Sequence, residues 1–244
     1  MAESLNAARR LSMSSADFLT AERRVAAPLP ISLSVVTVDL VLASASPARL
    51  TTLRSAGVEP EVIVSDVDER AVIAAAEEGL GATLAADDVA LLLARAKCEA
   101  VASDTDADAL VLGCDSVLEF EDATFGKPAD AAEAIDRWRQ MRGRSGSLHT
   151  GHWLVDGREE STGATFGVVA STVVHFADLT DAEIEAYVGT GEPLHVAGAF
   201  TIDGLGGPFV RRIEGDHHNV VGLSLPVLRE MLGEVGVTFD QLRD

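Results

Sequence analysis

Positive charge is scarce in this chain. Its 244 residues include 19 Lys and Arg against 39 Asp and Glu, which gives a formal net charge of −20. An acidic surface of this strength repels the phosphate backbone, so we expect no nucleic-acid partner. It also repels a free nucleotide, unless cations or a metal ion reverse the sign of the charge within one cleft. The positions of the few cations are therefore the most informative ones.

Long apolar runs and paired cysteines are missing as well. No apolar run approaches the roughly 18 residues of a membrane span, so we expect no membrane partner. The segment 1–24 contains acids and has no apolar centre, which excludes a secretory signal. The two cysteines, Cys98 and Cys114, provide no disulfide framework and fit a reducing compartment, so we expect a cytoplasmic protein.

Alternating strand and helix patterns predict a folded α/β protein. Residues 1–37 have weak periodicity and are predicted to form a partly disordered N-terminal extension. Residues 38–244 contain no repeat or linker, so we expect one domain folded as two lobes around a cleft. The predicted elements are a strand at 35–44, a helix at 47–56 ended by Gly57, a strand at 61–66, helices at 71–80 and 87–104, a strand at 107–120, a turn at 121–124, a helix from the N-cap Asp130 to Gly143, a hairpin of 148–157 and 164–179, a helix from the N-cap Thr180, and a last strand and helix within 218–232.

The first helix begins with an unusual charge. Ser46 suits the N-cap and Pro47 the first helical position, but Arg49 stands where a capping box would place Glu. A cation there opposes the helix dipole. A phosphate bound at the helix N-terminus beside Ser44 and Ser46 would offset that charge. The alternative is an ordinary surface arginine.

Lysine is rarer still, with Lys97 and Lys127 the only two in the chain. Retention of Lys among so many arginines suggests a need for a compact point charge, although chance placement explains it equally. Lys127 lies in "GKP", where Pro128 and the absence of a second Gly exclude a P-loop. A lysine held by Pro128 could still contact a phosphate.

Carboxylates supply the remaining chemistry. Asp115 ends the apolar run "ALVLGCD", at the kind of strand end where α/β proteins bind ligands. It could equally cap a turn. The run Ser65–Glu69 could hold a hard cation or simply begin a solvated helix. The pairs "HTGH" and "DHHN" lack the spacing of a zinc site.

Eight motifs in order resemble one family. They are "LASASPARL", "SDVDE", "KCEAV", "GCDSV", "GKPAD", "RGRSGSLHTG", "VAGAFTIDG" and "NVVGLSLP". Together they are similar to the Maf family of nucleoside triphosphate pyrophosphatases, which is related to septum-formation inhibitor proteins. The similarity extends from about Val41 to the C-terminus.

The resemblance implies a mixed, elongated sheet with flanking helices, two lobes around a central cleft, and a homodimer. It implies hydrolysis of a nucleoside triphosphate, non-standard or modified ones included, to monophosphate and pyrophosphate with Mg²⁺ or Mn²⁺. The implied catalytic residues are Asp115, Lys97 and Lys127, the metal ligands are Glu69 and Asp115, and the substrate-binding residues are Ser44, Ser46, Arg49, Ser116 and Asp203.

Three positions differ from the family pattern. Ala48 replaces the first of two arginines, Ser116 replaces a Thr, and Asp203 replaces a Gln common in the pyrimidine-preferring branch. Because an ionised Asp only accepts hydrogen bonds, the base preference stays open. The alternative function is a non-catalytic, nucleotide-binding regulator of cell division. Whether Asp115 acts as base, metal ligand or both is also left open by the sequence.

Overall fold

The structure is a computed structural model that describes residues 37–105, 108–159, 161 and 163–243. The predicted extension 1–37 lies outside the described residues except for Thr37, so its properties stay predictions. No helix among the described residues is long and apolar enough to cross a lipid bilayer.

A mixed sheet forms the centre of the fold. Its order is β2-β1-β3-β5-β6-β7, with β4 paired to β3. Strand β1 runs parallel to β2 and β3, and the remaining pairs are antiparallel. The described strands are β1 (Leu40–Ala43), β2 (Glu61–Val62), β3 (Leu110–Phe120), β4 (Ala123–Phe125), β5 (Ser145–Asp156), β6 (Thr165–Phe176) and β7 (Val210–Glu214). The predicted α/β class with a mixed sheet is confirmed.

Helices flank both faces of this sheet. They are α1 (Pro47–Ser55), α2 (Glu69–Leu80), α3 (Ala86–Asp104), α4 (Ala131–Met141), α5 (Asp181–Gly189), α6 (His217–Val221) and α7 (Leu225–Glu234). The predicted caps of α4 and α5 are confirmed: Asp130 accepts from the Glu133 N–H, and Thr180 forms a capping box with Glu183.

Three predicted elements are wrong or misplaced. The strand predicted within 218–232 is the short helix α6, because Asp216 caps its first N–H groups and Gly222, at φ +118°, ends it. The predicted strand at 61–66 is shortened to β2, since only its first two residues pair with β1. The segment 121–124, predicted as a turn, includes the first two residues of β4, which pairs with the end of β3.

Two hydrophobic clusters explain the two lobes. Leu110 and Leu112 of β3 pack with α1 and α7, whereas Leu118 and Phe120 pack with α4 and α5. These side chains share one face of β3, because side chains alternate along a strand. Asp115 and Ser116 lie on β3 between these two clusters, which is where we expect the cleft.

Helix α3 lies unusually close to the opposite face. A Cβ at Gly113 would be 2.4 Å from the carbonyl oxygen of Ala94, and one at Gly151 would be 2.3 Å from that of Ala90. Only glycine allows this approach of the helix backbone to β3 and β5. The approach brings Lys97 of α3 next to Asp115.

Candidate active site

One ammonium group joins two carboxylates at this part of the cleft. The Lys97 Nζ atom lies 2.5 Å from Asp115 Oδ1 and 2.6 Å from Glu69 Oε1. Asp115 extends from β3, Lys97 from α3, and Glu69 from the first residue of α2. Side-chain exposure rises from 11% at Asp115 to 46% at Glu69. The cluster therefore has a buried end and a solvent-accessible end.

The local environment shifts the pKa values of the two carboxyl groups in opposite directions. Burial raises the pKa of Asp115 above its ordinary value, although the charges of Lys97 and Arg49 oppose that shift. Partial burial also acts to raise the pKa of Glu69, but the hydrogen bond and charge of Lys97 outweigh it and lower the pKa. Two neighbouring carboxyl groups of unequal acidity are typical of an acid–base site.

The second lysine contributes to the same field. The charge of Lys127 contributes, after Lys97, to the lowered pKa of Glu69. Lys127 is exposed and makes no hydrogen bond or ion pair with a described residue. Its ammonium group is therefore available to an anionic ligand, whereas that of Lys97 is already shared by two carboxylates.

Arg49 is buried, contrary to a simple surface role. Its Nε donates to the carbonyl oxygen of Gly222 at 2.7 Å, one terminal nitrogen donates to Ser44 Oγ at 3.1 Å, and the other to Ser116 Oγ at 3.1 Å. The structure thus brings together three predicted substrate-binding residues: Ser44, Arg49 and Ser116. These hydrogen bonds, which the sequence could not reveal, account for the cation near the helix N-terminus.

Ser46 differs in part from its prediction. It has the extended backbone of an N-cap and Pro47 follows it, but its side chain makes no capping hydrogen bond. Instead its backbone N–H donates to Ser44 Oγ at 3.2 Å. The predicted capping hydrogen bond of Ser46 is wrong, because the Ser44 side chain ties the backbone of this turn.

Asp203 lies apart from the lysine cluster. It is exposed on the loop after Phe200 and makes no hydrogen bond or ion pair with a described residue. The carboxylate of Glu192 holds this loop, since it accepts from Thr201 Oγ1 at 2.5 Å and from the N–H groups of Leu205 and Gly206 at 2.8 and 3.0 Å. The structure therefore presents Asp203 on a fixed loop but does not join it to Lys97.

Sequence reasoning missed Thr150. Its hydroxyl lies 2.9 Å from Ser116 Oγ and donates to the carbonyl oxygen of Asn219 at 3.0 Å. The two residues face each other because β3 and β5 pair in the register Ser116↔Thr150. The motif "HTGH" contains this threonine, but only its histidines form a recognisable pattern, and their spacing does not fit a zinc site.

The histidines of that motif serve the fold. His149 contacts Ser171 and Glu119, while His152 is fully buried and accepts from the N–H of Ser224 at 2.8 Å. Burial lowers the pKa of His152 to about 4.

The donor set suits a hard cation only in part. Among the described residues no group of three or more His, Cys, Asp or Glu is arranged to hold a metal ion. Glu69 and Asp115 nevertheless provide two carboxylates that both contact the Lys97 ammonium group. Mg²⁺ is often bound by one or two carboxylates together with substrate phosphates and water, so this pair fits a cation that arrives with a nucleotide.

Known proteins are similar in sequence to this chain over most of its length. The family described as Maf-like protein matches residues 39–235. A protein named nucleoside triphosphate pyrophosphatase from Salinispora tropica is 58% identical over 202 residues, which cover 81% of this chain and 84% of that protein. A protein of the same name from Leifsonia xyli is 52% identical over 206 residues, covering 83% and 95%.

A solved structure is more distantly similar. It is titled nucleoside-triphosphatase / dITP/XTP pyrophosphatase, from Mycobacterium abscessus, with a TM-score of 0.32 and 15% identity over 58% of this chain and 76% of that one. The family match and the identities above agree with the motif order from β1 to α7, and the chain belongs to the Maf-like protein family.

Proposed function

We propose that this protein is a nucleoside triphosphate pyrophosphatase, a hydrolase that releases a nucleoside monophosphate and pyrophosphate. The observation that carries the proposal is the Lys97 ammonium held between Asp115 and Glu69 in the cleft. The names of the relatives support the same reaction. No observation on the described residues favours a non-catalytic regulator.

Asp115 is suited to act as the general base. Its raised pKa makes it a better proton acceptor than an exposed Asp, and the charge of Lys97 favours its ionised form. In the proposed reaction Asp115 takes a proton from the attacking water as the new P–O bond forms. The phosphoanhydride bond then breaks and pyrophosphate leaves with the bonding electron pair.

Cations in the cleft stabilise the charge of the phosphates. Lys127 supplies an unpaired ammonium group, and Lys97 supplies a second one next to the base. Arg49 acts from behind Ser44 and Ser116, where its charge also lowers the pKa of Asp115. Ser44 and Ser46, before α1, add hydroxyl groups at a helix N-terminus, which favours anions.

Glu69 and Asp115 would hold the proposed divalent cation, Mg²⁺ or Mn²⁺. When bound, such an ion polarises phosphoryl oxygens and neutralises their charge. Glu69 is the more accessible of the two carboxylates and has the lowered pKa, so it stays ionised at neutral pH. This residue would therefore be the first contact of an incoming cation.

Base recognition is assigned to Ser116 and Asp203. An ionised Asp203 accepts from amino or imino groups of a base but cannot donate, unlike the Gln of the pyrimidine-preferring branch. Non-standard or modified nucleotides are therefore included as substrates. We also propose that the protein is cytoplasmic, because its two cysteines provide no disulfide framework, and that it is a homodimer, on the basis of the family resemblance alone.

A product assay tests this function. The purified protein is given a panel of standard and modified nucleoside triphosphates, with Mg²⁺, with Mn²⁺ and with EDTA, and both products are measured. We expect pyrophosphate and monophosphate in equal amounts, none with EDTA, and a loss of about 100-fold or more for Asp115→Asn. Asp136→Asn, an exposed carboxylate on α4, is the matched control. Orthophosphate without pyrophosphate would contradict the proposed bond cleavage.

A further inference from the structure

The backbone on both sides of Lys127 is held by one helix. One terminal nitrogen of Arg137 donates to the carbonyl oxygen of Gly126 at 2.6 Å, directly before Lys127. Glu133 Oε2 accepts from the N–H of Ala129 at 2.7 Å, two residues after it. Both side chains extend from α4, so the loop that carries the lysine is attached to a regular element at two points.

The two contacts are also joined to each other. The second terminal nitrogen of Arg137 donates to Glu133 Oε1 at 2.5 Å, one helical turn away. The Arg137 guanidinium lies 4.7 Å from the ring centroid of Phe125, and the residue is only 8% exposed. Two hydrogen bonds and the contact with the Phe125 ring thus restrain the orientation of the buried guanidinium.

Further contacts fix the loop between these points. Pro128 is buried and restricts the backbone after Lys127, and the N–H of Gly198 also donates to the Gly126 carbonyl at 3.1 Å. The Lys127 side chain itself is exposed and has no hydrogen bond to a described residue. A restrained backbone therefore carries an ammonium group that has no partner among the described residues.

We propose that Glu133 and Arg137 are positioning residues that fix the Lys127 ammonium in the cleft. The inference rests on the proposed function, because Lys127 must contact the nucleotide for its position to matter. A surface ion pair that served only α4 would need no contact with Gly126 or Ala129. Here each partner uses one atom for the pair and another for the loop.

A double-mutant cycle tests the inference. Arg137→Met, Lys127→Met and the double variant are compared by kcat/KM for nucleoside triphosphate hydrolysis. We expect Arg137→Met to lose about 10- to 100-fold in the native chain, since small displacements of a contact group carry such costs. In the Lys127→Met background the same change should cost less than about twofold, because no ammonium remains to be positioned. Equal losses in both backgrounds would overturn the proposal, as would no loss in the native chain.

Second variants keep the test independent of folding. Glu133→Ala removes the acceptor of the Ala129 N–H and the partner of the second Arg137 nitrogen, while Arg137 can still donate to Gly126. It should lose about 3- to 10-fold in kcat/KM, again only when Lys127 is present. Arg137→Lys retains a donor for Gly126 and should recover at least part of the loss. The loss in kcat/KM of Arg137→Met should arise from kcat and from KM in the same proportions as the loss of Lys127→Met. Different proportions would also contradict the proposal.

The matched control is Arg139→Met, which removes an exposed arginine of α4 whose ion pairs lie at 3.5–3.7 Å. It should leave kcat/KM unchanged, and a loss equal to that of Arg137→Met would assign the effect to α4 as a whole and overturn the inference. The two levels of failure are distinguishable. An unmodified chain that releases no pyrophosphate contradicts the proposed function, whereas an active chain with an additive cycle contradicts only this inference.

Discussion

The Arg49 side chain donates from Nε to the carbonyl oxygen of Gly222, 2.7 Å away and 173 positions along the chain. Gly222 ends α6 with a left-handed backbone that favours glycine. The same guanidinium reaches Ser44 before α1 and Ser116 on β3. One side chain thus connects two helices and the central strand next to the cleft.

This connection predicts a loss of stability for Arg49→Gln. The change leaves the Gly222 carbonyl and two hydroxyls with fewer partners in a buried region, which should lower the free energy of unfolding by about 1–3 kcal/mol. Relief of the helix-dipole mismatch, about 0.3–1 kcal/mol, is too small to compensate. Urea unfolding of the protein without nucleotide measures the difference. Arg229→Gln, on the exposed side of α7, is the control and should be neutral; an Arg49 variant as stable as this control would contradict the prediction.

A second prediction concerns the pH dependence set by Asp115. Because burial raises its pKa above the ordinary 3.8, catalysis by the ionised carboxylate should be lost on the acidic side at a pH above that value. The sign is fixed by the role: a base is active when deprotonated, so kcat/KM rises with pH through the pKa. Measurement of kcat/KM between about pH 4 and about pH 8, with Asp115→Asn as the inactive reference, locates this acidic limb of the pH profile. A rate that increased on acidification through this range would exclude Asp115 as the base.

Lys97 should control the position of that limb. Its charge lowers the pKa of Asp115 and its hydrogen bond lowers that of Glu69. In Lys97→Met both pKa values should therefore rise, and the acidic limb of kcat/KM should move to higher pH. The change also leaves Asp115 as a buried charge without its partner, which should cost about 1–3 kcal/mol of stability. Lys127→Met, which removes an exposed ammonium group, is the control for stability. A limb that stayed in place would show that Lys97 does not act on the base.

Local signals made parts of this structure predictable. Asp130 and Thr180 were identified as helix caps because capping depends on residues three positions apart. The hairpin of β5 and β6 followed from alternating apolar residues and the short connection between them. The resemblance of the motifs to one family also predicts that Asp115, Lys97 and Glu69 belong to one site, and these residues are in contact in the structure.

Long-range contacts could not be predicted in the same way. The partners of Arg49 lie up to 173 positions away, so its local sequence indicated only a charge opposed to the helix dipole. The pairing of Thr150 with Ser116 depends on the register of β3 and β5, which a single sequence does not specify. The α6 segment was misread because its short apolar run fits a strand or a helix equally well.

The last prediction concerns the base, and it begins from the exposure of Asp203. This residue has no hydrogen bond or ion pair with a described residue, so Asp203→Gln should fold with unchanged stability. Glu192 holds the loop through Thr201, Leu205 and Gly206, so the new amide should occupy the place of the carboxylate. Gln donates as well as accepts, which should change the ratio of kcat/KM between nucleotides by about 10-fold or more while their average changes less. The measurement is a competition between purine and pyrimidine triphosphates, with Asp136→Asn as the control for a lost surface charge. A uniform change across all nucleotides would show that Asp203 does not recognise the base.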